Sequence, residues 1–184
     1  MSTGILLAII IALVVVIVVA TGAYLMARRR RLRERFGPEY ERTVEESGSR
    51  RAAERDLSER EKRHDSLDIK PLESGVRDRY SREWTSVQGE FVDRPEDAVQ
   101  DADLLVTSLM RDRGYPTEGY EQRLRDLSVE HGRTLGHYRD AHEINKLSMR
   151  HEATTEQLRG AMVHYRALFD ELLSNGGQAR HART

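Results

Sequence analysis

Between Ile5 and Met26 the chain carries 22 consecutive residues without a charged side chain, and no other feature constrains its fold so strongly. As an α-helix such a run is about 33 Å long, enough to cross a hydrocarbon core of roughly 30 Å. The reading is a transmembrane helix over residues 5–27, preceded by a short segment, residues 1–4. Met1-Ser2-Thr3-Gly4 offers only the α-amino charge ahead of the run, and arginines follow it at once. A cleaved signal peptide has the opposite arrangement, so a retained anchor is expected.

The flanking cluster is Arg28, Arg29, Arg30, Arg31, Arg33 and Arg35, opposed within the segment by Glu34 alone. Arginines close to one end of a span direct that end to the cytoplasm. The expected topology is therefore N-terminus out, with the rest on the cytoplasmic face of a bacterial plasma membrane. The same arginines are suited to anionic lipid, at about 1 kcal/mol each near the surface, or serve only to set topology. Residues 28–38 form this basic juxtamembrane segment.

Beyond it, residues 36–184 hold 24 Lys plus Arg against 30 Asp plus Glu, a net charge of −6. That balance argues against nucleic acid as a partner. The absence of cysteine excludes disulfides, thiolate nucleophiles and cysteine-ligated zinc.

All four prolines, Pro38, Pro71, Pro95 and Pro116, stand where the pattern changes, as expected where helices dominate. Gly37-Pro38 should interrupt the helix leaving the membrane. Residues 39–70 read as a charged helical stalk, with 16 charged residues in the 28 from Glu39 to Ser66 and opposite charges recurring four apart, as in Arg42/Glu46 and Asp56/Arg60. The stripe Ala53, Leu57, Arg60, His64, Leu67 is too polar for more than a weak coiled-coil signal.

Residues 71–174 read as a bundle of about four to five helices. Val76, Tyr80, Trp84, Val87 and Phe91 share one helical face, and Ala98, Ala102, Leu105, Leu109 and Met110 another, ending at Gly114 as a left-handed cap. Asp93 is a candidate N-cap before Pro95. Tyr120, Leu124 and Leu127, then Leu135, Tyr138, Ala141 and Ile144, mark two more helices. Thr154 to Gln157 is a capping-box pattern opening a helix with Leu158, Ala161, Met162, Tyr165, Leu168, Phe169 and Leu172 on one face. A disordered tail is expected over 175–184. The fold class is all-α.

No catalytic, cofactor-binding or metal-ligating set is expected. His142-Glu143 and His151-Glu152 open like a zinc-peptidase helix, but Lys146 and Thr155 stand where the second histidine is needed. Glu61 to His64 is a single Glu-x-x-His, where a di-iron bundle needs two. His137-Tyr138-Arg139 recurs 27 residues later as His164-Tyr165-Arg166, read as two core tyrosines with solvent-facing neighbours in preference to a paired ligand site.

Gly4, Ala8, Ala12, Val16 and Ala20, spaced by four, give a candidate association face for a homodimer, although alanine is also ordinary filling in an apolar helix. Tyr115 and Tyr120 are candidate interaction aromatics, while Trp84 and Phe169 are expected in the core.

The apolar N-terminus, Arg-Phe-Gly-Pro-Glu-Tyr (35–40), the charged stalk, Phe-Val-Asp (91–93), Arg-Gly-Tyr-Pro (113–116) and Met-Val-His-Tyr-Arg-Ala-Leu-Phe (162–169) together resemble an actinobacterial family of uncharacterised single-pass membrane proteins. The likeness covers nearly the whole chain and implies a membrane location, with no activity or functional residues attached. The functional expectation is a membrane-anchored interaction or scaffold module with a protein partner. An enzyme or small-ligand-binding helical domain, its site unmarked by any motif, is the alternative.

Overall fold

A computed structural model describes residues 3–174, except for the side chains of residues 3, 5, 6, 8 and 9. The tail expected over 175–184 lies outside the described residues. The described residues form eight helices in order: α1 Thr3–Phe36, α2 Pro38–Ser47, α3 Arg50–Asp65, α4 Ser74–Glu90, α5 Pro95–Asp112, α6 Tyr120–His131, α7 Leu135–Ser148 and α8 Thr155–Leu173. The described residues contain no strand. The all-α class read from periodicity is the one observed.

Helix α1 is long and apolar enough to cross a membrane, and its apolar stretch is not buried against the rest of the chain. It continues without a break through the arginine cluster and stops at Phe36. Gly37, at φ 55° and ψ −130°, turns the chain, and Pro38 opens α2 from the first helical position, where its missing N–H costs nothing. The other boundaries also follow local chemistry. Gly114 adopts φ 93°, with the Tyr115 N–H bonded to Met110 O at 3.0 Å to close α5. Thr154 and Gln157 form a complete capping box at α8. Asp93 does not cap α5; Arg94 occupies that position, and no side chain bonds to the helix start.

The main core joins α4, α5, α7 and α8, with Leu124 and Leu127 reaching in from α6. Trp84 and Phe169 stack inside it at 4.7 Å, and Tyr138 meets Tyr165 edge to face at 6.2 Å. The Arg113 guanidinium, only 3% exposed, donates to Leu172 O at 2.5 Å and so caps the C-terminal end of α8.

A second, smaller core was not expected. Leu32 and Phe36 of α1, Tyr40 of α2, Leu57 of α3 and Val129 of α6 bury one another, with Val44 beside them. Residues 39–70 thus do not stand away from the bundle as a solvated stalk. They fold as a hairpin, α2 against α3, packed on the end of α1 and on α6. The polar stripe on α3 is the face that packs: Ala53, Leu57 and His64 are buried. Its charges are matched by α6, with Arg63 to Asp126 at 2.9 Å and Arg125 to Asp56 at 2.6 Å. Gly132 lets α6 end against α1, since a Cβ there would stand 2.3 Å from the Phe36 carbonyl oxygen.

Candidate functional site

Because the hairpin leans on α6, a polar cleft of about 530 Å³ opens between α2–α3 and α6–α7. Its base is an ion pair that is almost dry. Glu39 is 4% exposed by its side chain and takes Arg139 in a two-point bond, at 2.8 and 2.6 Å, with Arg60 at 3.5 Å. Arg60 also reaches Asp56 at 2.6 Å. Paired in this way, the charges are tolerated at low dielectric and orient α2, α3 and α7 toward one another.

Tyr120 and Leu124 give the cleft its apolar part, and Arg42, Glu46, Glu121, Arg125, Asp140 and Glu143 line the remainder. Tyr120 is half-buried and lies flat on His142, with centroids 3.8 Å apart. Burial pushes the Tyr120 hydroxyl up to about 12, so at neutral pH it is a neutral donor and acceptor at the cleft wall. Burial holds the His142 imidazole below its ordinary value. Among the described residues, Glu121 and Asp140 enter no salt bridge.

The candidate interaction aromatics therefore separate. Tyr120 lines the cleft. Tyr115, expected as an interface contact, is instead buried at 2% exposure, because its hydroxyl belongs to an internal network. It donates to Glu130 at 3.1 Å and lies 3.2 Å from His131 Nε2. His131 Nδ1 lies 3.0 Å from Glu171, which also accepts from Thr134 at 2.5 Å. His64 sits beside this group, its ring 6.2 Å from Tyr115, and burial lowers its pKa. The network joins α3, α6 and α8 and is closed to solvent at Tyr115 and His131.

The arginine cluster is only partly free. Arg28 donates to Ser58 at 2.8 Å, Arg31 and Arg35 share Glu61 at 2.9 and 2.5 Å, Arg35 reaches Asp65 at 3.2 Å, and Arg33 pairs with Glu41. Arg30 bonds Glu34 within the helix. These side chains clamp the hairpin to α1. Of the candidate association face, Gly4, Ala12, Val16 and Ala20 are exposed, and the Ala8 side chain is outside the described residues.

The repeated His-Tyr-Arg tripeptide does more than place two tyrosines in the core. The antiparallel packing of α7 on α8 brings His137 Nδ1 to 2.9 Å from His164 Nδ1. With Asp140 they form a cluster in which one ligating atom of each lies within 4.8 Å of the others. The repeat was the visible sign of this meeting; which face of α8 met α7 was not visible.

Comparison of the chain with protein-family models, with curated proteins and with solved structures gives no match.

Proposed function

We propose that this chain is a single-pass membrane-anchored interaction module: α1 spans a bacterial plasma membrane with its N-terminus outside, and the bundle presents the charged cleft on the cytoplasmic face to a protein partner. The observation that carries the reading is the continuity of α1, whose apolar stretch runs straight into Leu32 and Phe36 of the second core. An anchor joined through a packed core, in place of a flexible tether, holds the cleft at one height and orientation. A partner on the same membrane then meets it at raised effective concentration, so modest affinity suffices.

The cleft favours a polypeptide segment with basic groups. Four arginines face five carboxylates there, and among the described residues Glu121 enters no salt bridge. Tyr120 supplies an amphipathic wall of the kind that anchors interfaces.

A photo-crosslinking residue placed at Glu121 or Arg42 in the full-length chain, expressed in cells, should give one shared adduct. The same residue at Glu83, on α4 away from the cleft, should not. Equal adducts from all three positions, or none from the cleft, would refute the reading. Topology is tested separately by C-terminal fusions: a cytoplasm-dependent fluorescent protein should be bright and an export-dependent phosphatase inactive.

A further inference from the structure

The meeting of His137 and His164 brings two potential ligand nitrogens face to face across the α7–α8 seam. Their ring centroids are 5.0 Å apart with planes inclined by 23°, while the two Nδ1 atoms are 2.9 Å apart. The rings therefore lie nearly edge to edge, nitrogen facing nitrogen. A neutral pair can place one proton between them, whereas two lone pairs or two protons repel. A shared cation satisfies both nitrogens. Zn–N bonds of about 2.0–2.1 Å at a tetrahedral angle put two ligating nitrogens about 3.3 Å apart, so this pair would open by about 0.4 Å and the two rings would turn until their lone pairs converge on the ion.

Asp140 supplies a third ligand of the right kind. It lies one helical turn after His137 on α7, on the same face, and it enters no salt bridge among the described residues. The two arginines of the repeat, which would oppose a cation, are committed elsewhere. Arg139 is held by Glu39, and Arg166 by Asp170 at 2.7 Å and Gln88 at 3.1 Å. Tyr138 and Tyr165, both fully buried, fix the register of α7 on α8 that makes the histidines meet.

We propose that His137, Asp140 and His164 form a binding site for a divalent transition-metal ion of the zinc class, spanning the α7–α8 seam at the edge of the charged cleft. Two imidazoles and a carboxylate suit zinc and its neighbours and not calcium or magnesium, which take oxygen ligands. Three protein ligands leave at least one position for water or for a group from a bound molecule. Asp140 also lines the cleft, so an ion held here would stand at its margin. The site does not depend on the identity of the partner.

The test uses the full-length chain in detergent micelles, purified without a polyhistidine tag and stripped of metal. Calorimetric titration with zinc chloride should show one equivalent bound, and cobalt(II) should give the visible absorption of a low-coordinate site. His137→Ala, His164→Ala and Asp140→Asn should each weaken zinc at least about tenfold, while His151→Ala, at an exposed histidine outside the cluster, should not. Trp84 fluorescence confirms that each variant is folded, and zinc should raise the unfolding midpoint of the parent chain but not of the His137→Ala/His164→Ala variant. No stoichiometric binding, or binding unchanged in that double variant, overturns the proposal.

Discussion

At the scale of single residues, the Glu39–Arg139 pair shows what the fold has to accommodate. Glu39 sits in a sequence that reads as solvated, yet it is nearly excluded from water and is held by two arginines. Removing one partner of a buried pair leaves the other charge without compensation. Glu39→Gln should therefore cost about 3 kcal/mol, read as a fall in the unfolding midpoint of Trp84, the only tryptophan. The double replacement Glu39→Met/Arg139→Met should recover more than half of the loss, because Arg60 retains Asp56. Additive losses would show that the two side chains do not interact. A second residue carries a pH dependence. Burial depresses the His64 pKa below its ordinary 6.5, so the unfolded chain binds this proton more tightly than the folded one. Stability is then complete above about pH 6.5 and is lost as the pH falls below it. In a His64→Gln chain the decline of the unfolding midpoint from about pH 7 to 5.5 should be shallower. An unchanged slope would remove His64 from the account.

Among the elements, most boundaries were legible because each rests on local chemistry. Gly37-Pro38, Gly114 and the Thr154 capping box each specify a turn or a cap, and the apolar stripes of α4, α5 and α8 are wide enough to declare a buried face. The packing of α2 and α3 was not legible. Their contribution to the second core is little more than Tyr40, Leu57 and Val44, and its remaining apolar surface comes from α1 and α6, remote in sequence. The same holds for the cleft and the histidine cluster, whose members sit on helices brought together only by tertiary packing. Gly132 carries the most specific consequence at this scale. Its φ of −55° suits any residue, so its requirement is steric: a Cβ would collide with the backbone of Phe36. Gly132→Ala should cost about 1–3 kcal/mol as overpacking. Gly160, inside α8 with nothing within 4 Å of its Cβ position, should behave oppositely, with Gly160→Ala stabilising by about 0.5–1 kcal/mol. Thermal unfolding of the two variants side by side checks both signs.

For the whole molecule, the consequence of the second core is that the anchor and the bundle are one body. Arg28, Arg31, Arg33 and Arg35, which a positive-inside reading assigns to the membrane surface, also tie α1 to the hairpin. Arg31 and Arg35 hold the same carboxylate of Glu61. In the proposed setting this arrangement keeps the cleft near the bilayer and lets the orientation of α1 set the orientation of the site. The chain contains no cysteine, so paired spin labels can be introduced without background. Labels at Glu34 on α1 and Lys62 on α3, both exposed, test the central claim in the full-length protein in lipid nanodiscs. Packed helices about 10 Å apart predict a narrow distance distribution below about 25 Å once label linkers are included. A helical stalk leading away from the membrane would separate the two positions by about 40 Å, and a distribution centred there, or spread broadly out to it, would contradict the account.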